Sequence, residues 1–119
     1  MSGDVRVRRL YDEAPYPVGA VFLVERLWPR GLRREALRPA AWLPGVAPSS
    51  ELRRWFAHDP QRWVEFCRRY ADELDAAPMS WQPLAEAAHS GGVTLLFSAR
   101  DRHHNNAVAL ADYLRARRG

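Results

Sequence analysis

At 119 residues the chain fits one compact domain, residues 1–119, with no room for a second core. Its single Cys excludes an internal disulfide framework and a Cys-based zinc cage, and five Trp, four Tyr and four Phe argue against whole-chain disorder. The formal net charge is +4 and every one of the 18 basic residues is Arg, but 14 acids interleave with them, so the expectation is a solvated basic surface rather than a dedicated polyanion tract.

Residues 5–11, Val-Arg-Val-Arg-Arg-Leu-Tyr, alternate and then slip, which predicts a half-exposed edge strand. Pro15 and Pro17 make residues 14–17 a loop, because proline cannot donate to a ladder. Residues 19–27 form a nearly continuous apolar run, the pattern of a strand buried on both faces, ending at Trp28-Pro29-Arg30-Gly31. A short helix is expected over 33–37, followed by an irregular, proline-broken connection anchored by Trp42 and Leu43. Ser49 or Ser50 opens a helix to about Ala57, with Leu52, Trp55 and Phe56 on one stripe.

Asp59-Pro60 starts the next helix, whose apolar face runs from Trp63 through Phe66, Cys67, Tyr70 and Leu74. Pro78 is expected to close it, and Ser80 to cap a further helix ending near Gly91-Gly92. Residues 93–99, Val-Thr-Leu-Leu-Phe-Ser-Ala, are the second buried strand, and a last helix takes roughly 105–117. Two apolar strands joined by a long helical crossover are most simply parallel neighbours with a right-handed connection. The expected fold is therefore α/β, a small sheet of three or four strands with a parallel central pair, covered by helices.

Open α/β sheets place ligands beyond the carboxyl ends of their strands. Two polar segments leave those ends: 25–31, which carries Glu25, Arg26 and Arg30, and 98–106, which carries Arg100, Asp101, His104, Asn105 and Asn106. Two readings of Arg26 stay open. It can form an internal ion pair, for instance with Asp101, or it can join Arg30 in presenting planar guanidinium forks to an anion. Asn105 and Asn106 stand where free amides and the helix dipole favour negative charge, and either Asn, or Asp101, can instead cap that helix.

His104 and Asp101 are the candidate proton-exchanging pair, since His titrates near neutrality. His58, in the aromatic stretch from Trp55 to Trp63, is a candidate wall residue of the pocket. Cys67 lies on an apolar helix face and reads as a structural thiol. No Gly-rich phosphate loop, nucleophile elbow or His-Glu-x-x-His pattern occurs, so neither cofactor nor metal is expected.

The segments Arg26-Leu27-Trp28-Pro29-Arg30-Gly31, Pro48-Ser49-x-Glu51-Leu52-Arg53-x-Trp55-Phe56-x-His58-Asp59-Pro60 and Ala99-Arg100-Asp101-x-x-His104-Asn105-Asn106-Ala107 resemble the YeaO-like proteins, a bacterial group in the domain-of-unknown-function 488 class. The resemblance spans nearly the whole chain and implies a common α/β fold and a shared polar site, with no established activity. Members commonly carry Asp where this chain has Glu25 and often Tyr where it has Phe97. A Cys that some members of the class carry after the second strand is lacking here, so thiol chemistry is not implied.

The expected function is binding of a small anionic, phosphorylated or nucleotide-like ligand, with or without its turnover. Arg26, Arg30, Arg100, Asn105, Asn106 and His58 would bind and orient it, and Asp101 and His104 would position groups or exchange protons. The alternatives are a nucleic-acid module using the basic surface, or a non-catalytic interaction domain. No apolar run approaches the ~20 residues of a membrane span, and Met-Ser-Gly-Asp-Val-Arg lacks a signal-peptide layout, so no membrane association and a cytoplasmic location are expected.

Overall fold

In the computed structural model, residues 4–12, 19–37 and 40–117 are described. The expected loop at 14–17 lies outside them. Four strands, β1 (Val5–Arg9), β2 (Ala20–Leu23), β3 (Ala41–Trp42) and β4 (Val93–Phe97), form one sheet in the order β1-β4-β2-β3. Every pairing is parallel: β1 and β2 flank β4, with Val7 and Phe22 both opposite Leu95, and β3 pairs with β2. The fold is thus α/β with a parallel central pair, as the two apolar runs predict.

The strands are shorter than those runs. β2 stops at Leu23, although Val24 still donates to the Leu96 carbonyl (3.3 Å), and β4 stops at Phe97. Beyond each end the chain turns to polar tasks described below. Gly19 lies just before β2 at φ +112°, where a Cβ would come within 3.0 Å of the Gly92 carbonyl oxygen just before β4. Only glycine allows the two central strands to start this close together.

Helices α2 (Ser50–Phe56), α3 (Trp63–Asp75), α4 (Pro78–His89) and α5 (Asn106–Ala116) bury their apolar stripes on one face of the sheet. Phe56, Phe66, Tyr70, Leu84 and Leu110 meet Val93, Leu95 and Phe97 of β4 there. The other face carries a smaller cluster of Leu10, Val21, Leu23, Leu37 and Leu96, covered by Trp28, Leu32 and Trp42, with the single-turn α1 (Arg34–Leu37) above it. Both faces of β2 and β4 are therefore packed, which is why their sequences show no polar alternation.

Four local expectations are corrected. Trp42 belongs to a two-residue strand, and its indole donates to the Glu25 carbonyl (2.7 Å). Asp59 caps a 3-10 turn, Pro60–Arg62, by accepting from the Gln61 amide (3.0 Å), and the α-helix proper begins at Trp63. Pro78 opens α4 instead of merely closing α3: its missing N–H is no loss in a first turn. Ser80 is accordingly inside that helix, donating to the Ala77 carbonyl (2.7 Å), and caps nothing.

Candidate functional site

Parallel pairing puts the carboxyl ends of all four strands along one edge, and a cavity of about 410 Å³ opens there. It is lined by the segment after β2, the segment after β4, the start of α5, and α2 with the turn that follows it. Its volume falls within the ~300–1,000 Å³ usual for small-molecule sites.

Glu25 ties the two central strands together beyond their last ladder bonds. Its carboxylate accepts from the backbone N–H and from the hydroxyl of Ser98, each at 2.6 Å. A charged acceptor satisfying two donors is stronger than a neutral one, and it offsets the cost of placing a carboxylate at a half-buried strand end.

Arg26, next in sequence, points to the neighbouring connection. Its Nε donates to the Pro48 carbonyl (2.9 Å) and its Nη2 to the Ala47 carbonyl (3.0 Å). No Arg26–Asp101 ion pair occurs among the described residues. The carbonyls belong to buried residues directly before Ser49, whose hydroxyl accepts from the Leu52 amide (3.1 Å) to cap α2. Glu73 of α3 receives the Ser49 amide (2.8 Å) and hydroxyl (2.6 Å). Arg26 and Glu73 thereby fix where α2 begins, and with it the positions of Arg53, Phe56 and His58 along the cavity wall.

Arg30 and Arg53 are different. Both line the cavity, both are exposed, and neither guanidinium makes a hydrogen bond or ion pair with another described residue. Arg30 is carried by a loop that Trp28 pins: its indole donates to the Leu32 carbonyl (2.7 Å) and its ring packs edge-on against Trp42. Arg53 projects from α2, three residues before Phe56. In the sequence Arg53 stands within the Pro48–Pro60 motif and is not marked as a site residue. Its one signal was a position beside the apolar stripe of an amphipathic helix.

His58 stands at the rim in a strained turn. Ala57 (φ 49°) and His58 (φ 58°) are consecutive non-glycine residues in the left-handed region, where each costs roughly 1–2 kcal/mol. Ala57 ends α2, its amide bonding back to the Arg53 carbonyl (3.1 Å), and the His58 ring lies against Phe56.

At the start of α5 the two asparagines divide their work. Asn105, only 3 % exposed, caps the helix: its Oδ1 accepts from the Val108 amide (3.0 Å) and its Nδ2 donates to the Asp101 carbonyl (2.9 Å). Asn106 reaches across to β2, its Nδ2 donating to the Val24 carbonyl (2.6 Å). That bond fixes which way its amide points, and its Oδ1 has no partner among the described residues.

Of the residues expected at the site, Arg26, Arg30, His58, Asn105 and Asn106 line the cavity, and Arg100, Asp101 and His104 are not among its walls. Asp101 shapes the loop behind it. Its Oδ1 accepts from the amides of His103 (2.9 Å) and His104 (3.0 Å), and its Oδ2 meets His104 Nδ1 at 2.9 Å. The His103 amide first, then the His104 ring and the His104 amide, hold the carboxyl below its ordinary value of 3.8. His104 in turn packs edge-on against Trp63 (5.3 Å). Arg102 ties the same loop to Asp12 after β1 by two bonds of 2.7 and 2.9 Å. Cys67 is half-buried, and burial pushes its thiol up to about 11, well outside the range of a nucleophile at neutral pH. No group of three or more His, Cys, Asp or Glu suited to a metal occurs among the described residues.

Residues 4–118 match the family model described as "Inactive DUF488-N3 subclade". Over 114 residues the chain is 38 % identical to uncharacterized proteins of Mycobacterium tuberculosis and Mycobacterium bovis, covering 95 % of both chains in each case. It is 35 % identical over 113 residues to the uncharacterized protein YeaO of Escherichia coli, covering 95 % of this chain and 98 % of that one. No solved structure matches it significantly.

Proposed function

The chain belongs to the YeaO-like proteins of the DUF488 class, in the DUF488-N3 subclade described as inactive, and we propose that it binds a small phosphorylated anion at the strand ends without turning it over. The observation that carries this reading is the pair Arg30 and Arg53: two guanidinium groups without a partner among the described residues, on one cavity and held by separately anchored elements. Guanidinium forks match phosphate geometry, and the start of α5 adds a favourable dipole.

Binding without chemistry is supported by what surrounds the cavity. The His104–Asp101 pair is outside its walls, burial pushes the Cys67 thiol up to about 11, and the Glu25 carboxylate that accepts from the Ser98 hydroxyl also holds the Ser98 amide as a strand clamp. The proposed setting is the cytosol, where phosphorylated metabolites are abundant; no described helix is long and apolar enough to cross a membrane.

Thermal-shift measurements with a panel of phosphorylated and matched unphosphorylated small molecules test this reading, with duplex DNA as a polyanion control. Stabilisation by phosphorylated members alone is expected. No stabilisation by any of them, or stabilisation by DNA alone, would overturn it, the latter in favour of a nucleic-acid surface.

A further inference from the structure

We infer that the anion is a phosphomonoester carried on a planar ring bearing N–H donors, bound with the ring inward and the phosphate at the mouth. This rests on the anion-site reading above and specifies which anion and which way round. Exposure sorts the cavity wall into two zones. Arg30, Arg53 and His58 are exposed, together with the apolar Leu27, whereas Pro29, Pro48, Phe56 and Phe66 are buried, the last two with rings stacked at 4.4 Å, and the only buried polar residue among them is the helix cap Asn105. The unpaired positive charge is thus at the rim and the apolar surface is below it.

The charge deeper in argues the same way. The Arg26 guanidinium is committed to the Ala47 and Pro48 carbonyls, and the Glu25 carboxylate, half-buried beside Ser98, repels an anion placed at the floor. Two guanidinium groups at the mouth balance a phosphomonoester dianion, while flat apolar walls suit an aromatic body. Beside the guanidinium donors, the wall offers two acceptor groups with capacity left: the fixed Asn106 Oδ1 and the remaining lone pairs of Glu25. A ring presenting N–H groups satisfies them, and a ring presenting only acceptors leaves them desolvated and unpaired.

Calorimetric titration of the wild-type protein at one fixed, moderate salt concentration tests this with five probes: inorganic phosphate, ribose 5-phosphate, adenosine, adenosine 5′-monophosphate, and purine riboside 5′-monophosphate, which lacks the exocyclic amine. Adenosine 5′-monophosphate is expected to bind about tenfold more tightly than ribose 5-phosphate or purine riboside 5′-monophosphate, and adenosine to bind weakest of the ring compounds. Equal affinity for inorganic phosphate, ribose 5-phosphate and adenosine 5′-monophosphate would overturn the inward ring while leaving the anion site standing. Equal affinity for the two ring phosphates would overturn the N–H requirement, and adenosine binding as well as its phosphate, or no probe binding at all, would overturn the anion site itself.

Discussion

The Glu25 carboxylate and Ser98 share two hydrogen bonds of 2.6 Å that clamp the ends of the central strands where the cavity begins. Glu73 and Ser49 repeat the arrangement on the helical side, with the carboxylate again taking both the amide and the hydroxyl of a serine. One clamp stands at the cavity itself, and the other fixes the start of α2, whose Arg53 and Phe56 line it.

Glu25→Ala removes the acceptor of the Ser98 amide and is expected to cost about 2 kcal/mol, with Ser98→Ala costing about 1. Urea denaturation of both single variants and the double variant checks this. The double should be milder than the sum of the singles, because both remove the same hydroxyl bond.

Arg26→Ala leaves the carbonyls of buried Ala47 and Pro48 without their donors and is expected to lower stability by about 2–3 kcal/mol. Arg30→Ala and Arg53→Ala, at exposed and unpartnered groups, should stay within about 0.5 kcal/mol of wild type. Denaturant midpoints thus separate the arginine that builds the site from the two assigned to its ligand.

Ala57→Gly is expected to stabilise the protein by roughly 0.5–1 kcal/mol, because glycine adopts the left-handed geometry after α2 at no steric cost. The gain is read as a rise in melting temperature. A fall would mean that this turn is not held in the left-handed region in solution.

The architecture was legible because β2 and β4 are apolar enough to demand cover on both faces, and because a long helical crossover forces them parallel. That placed 25–31 and 98–106 at one edge before any coordinates. Other features depend on packing that local sequence does not encode. β3 is two residues whose strand character comes from pairing with β2 and from the Trp28–Trp42 contact. Arg26 resembled a ligand or an ion-pair residue, and only the approach of 47–48 shows that backbone carbonyls claim it. Arg53 is one of several helical arginines, and the seating of α2 alone turns it toward the cavity. Pro78 has two meanings, end of one helix or first turn of the next, and the short 76–77 link makes it the latter.

Acid sensitivity follows from depressed carboxyls. Asp101, held by the His103 and His104 amides and the His104 ring, has a folded pKa below its ordinary 3.8. Its contribution is complete above that ordinary value and is lost as pH falls through the lower folded one. Asp12 and Asp75 are lowered by Arg102 and by Tyr113 with Arg117 respectively, and Glu65 is lowered to about 2 by Arg68 and Arg69. Stability measured from pH 7 downward should therefore be flat to about pH 5 and then decline toward pH 2. Asp101→Asn should be less stable at pH 7 and decline less steeply below pH 4.

The most direct measurement is calorimetric titration of adenosine 5′-monophosphate into wild type and into an Arg30→Ala/Arg53→Ala variant whose melting temperature matches it. Saturable one-to-one binding to wild type that weakens with added salt, and a loss of about a hundredfold in the variant, is the predicted result. Undiminished binding to the variant would contradict the assignment of these two guanidinium groups to the anion.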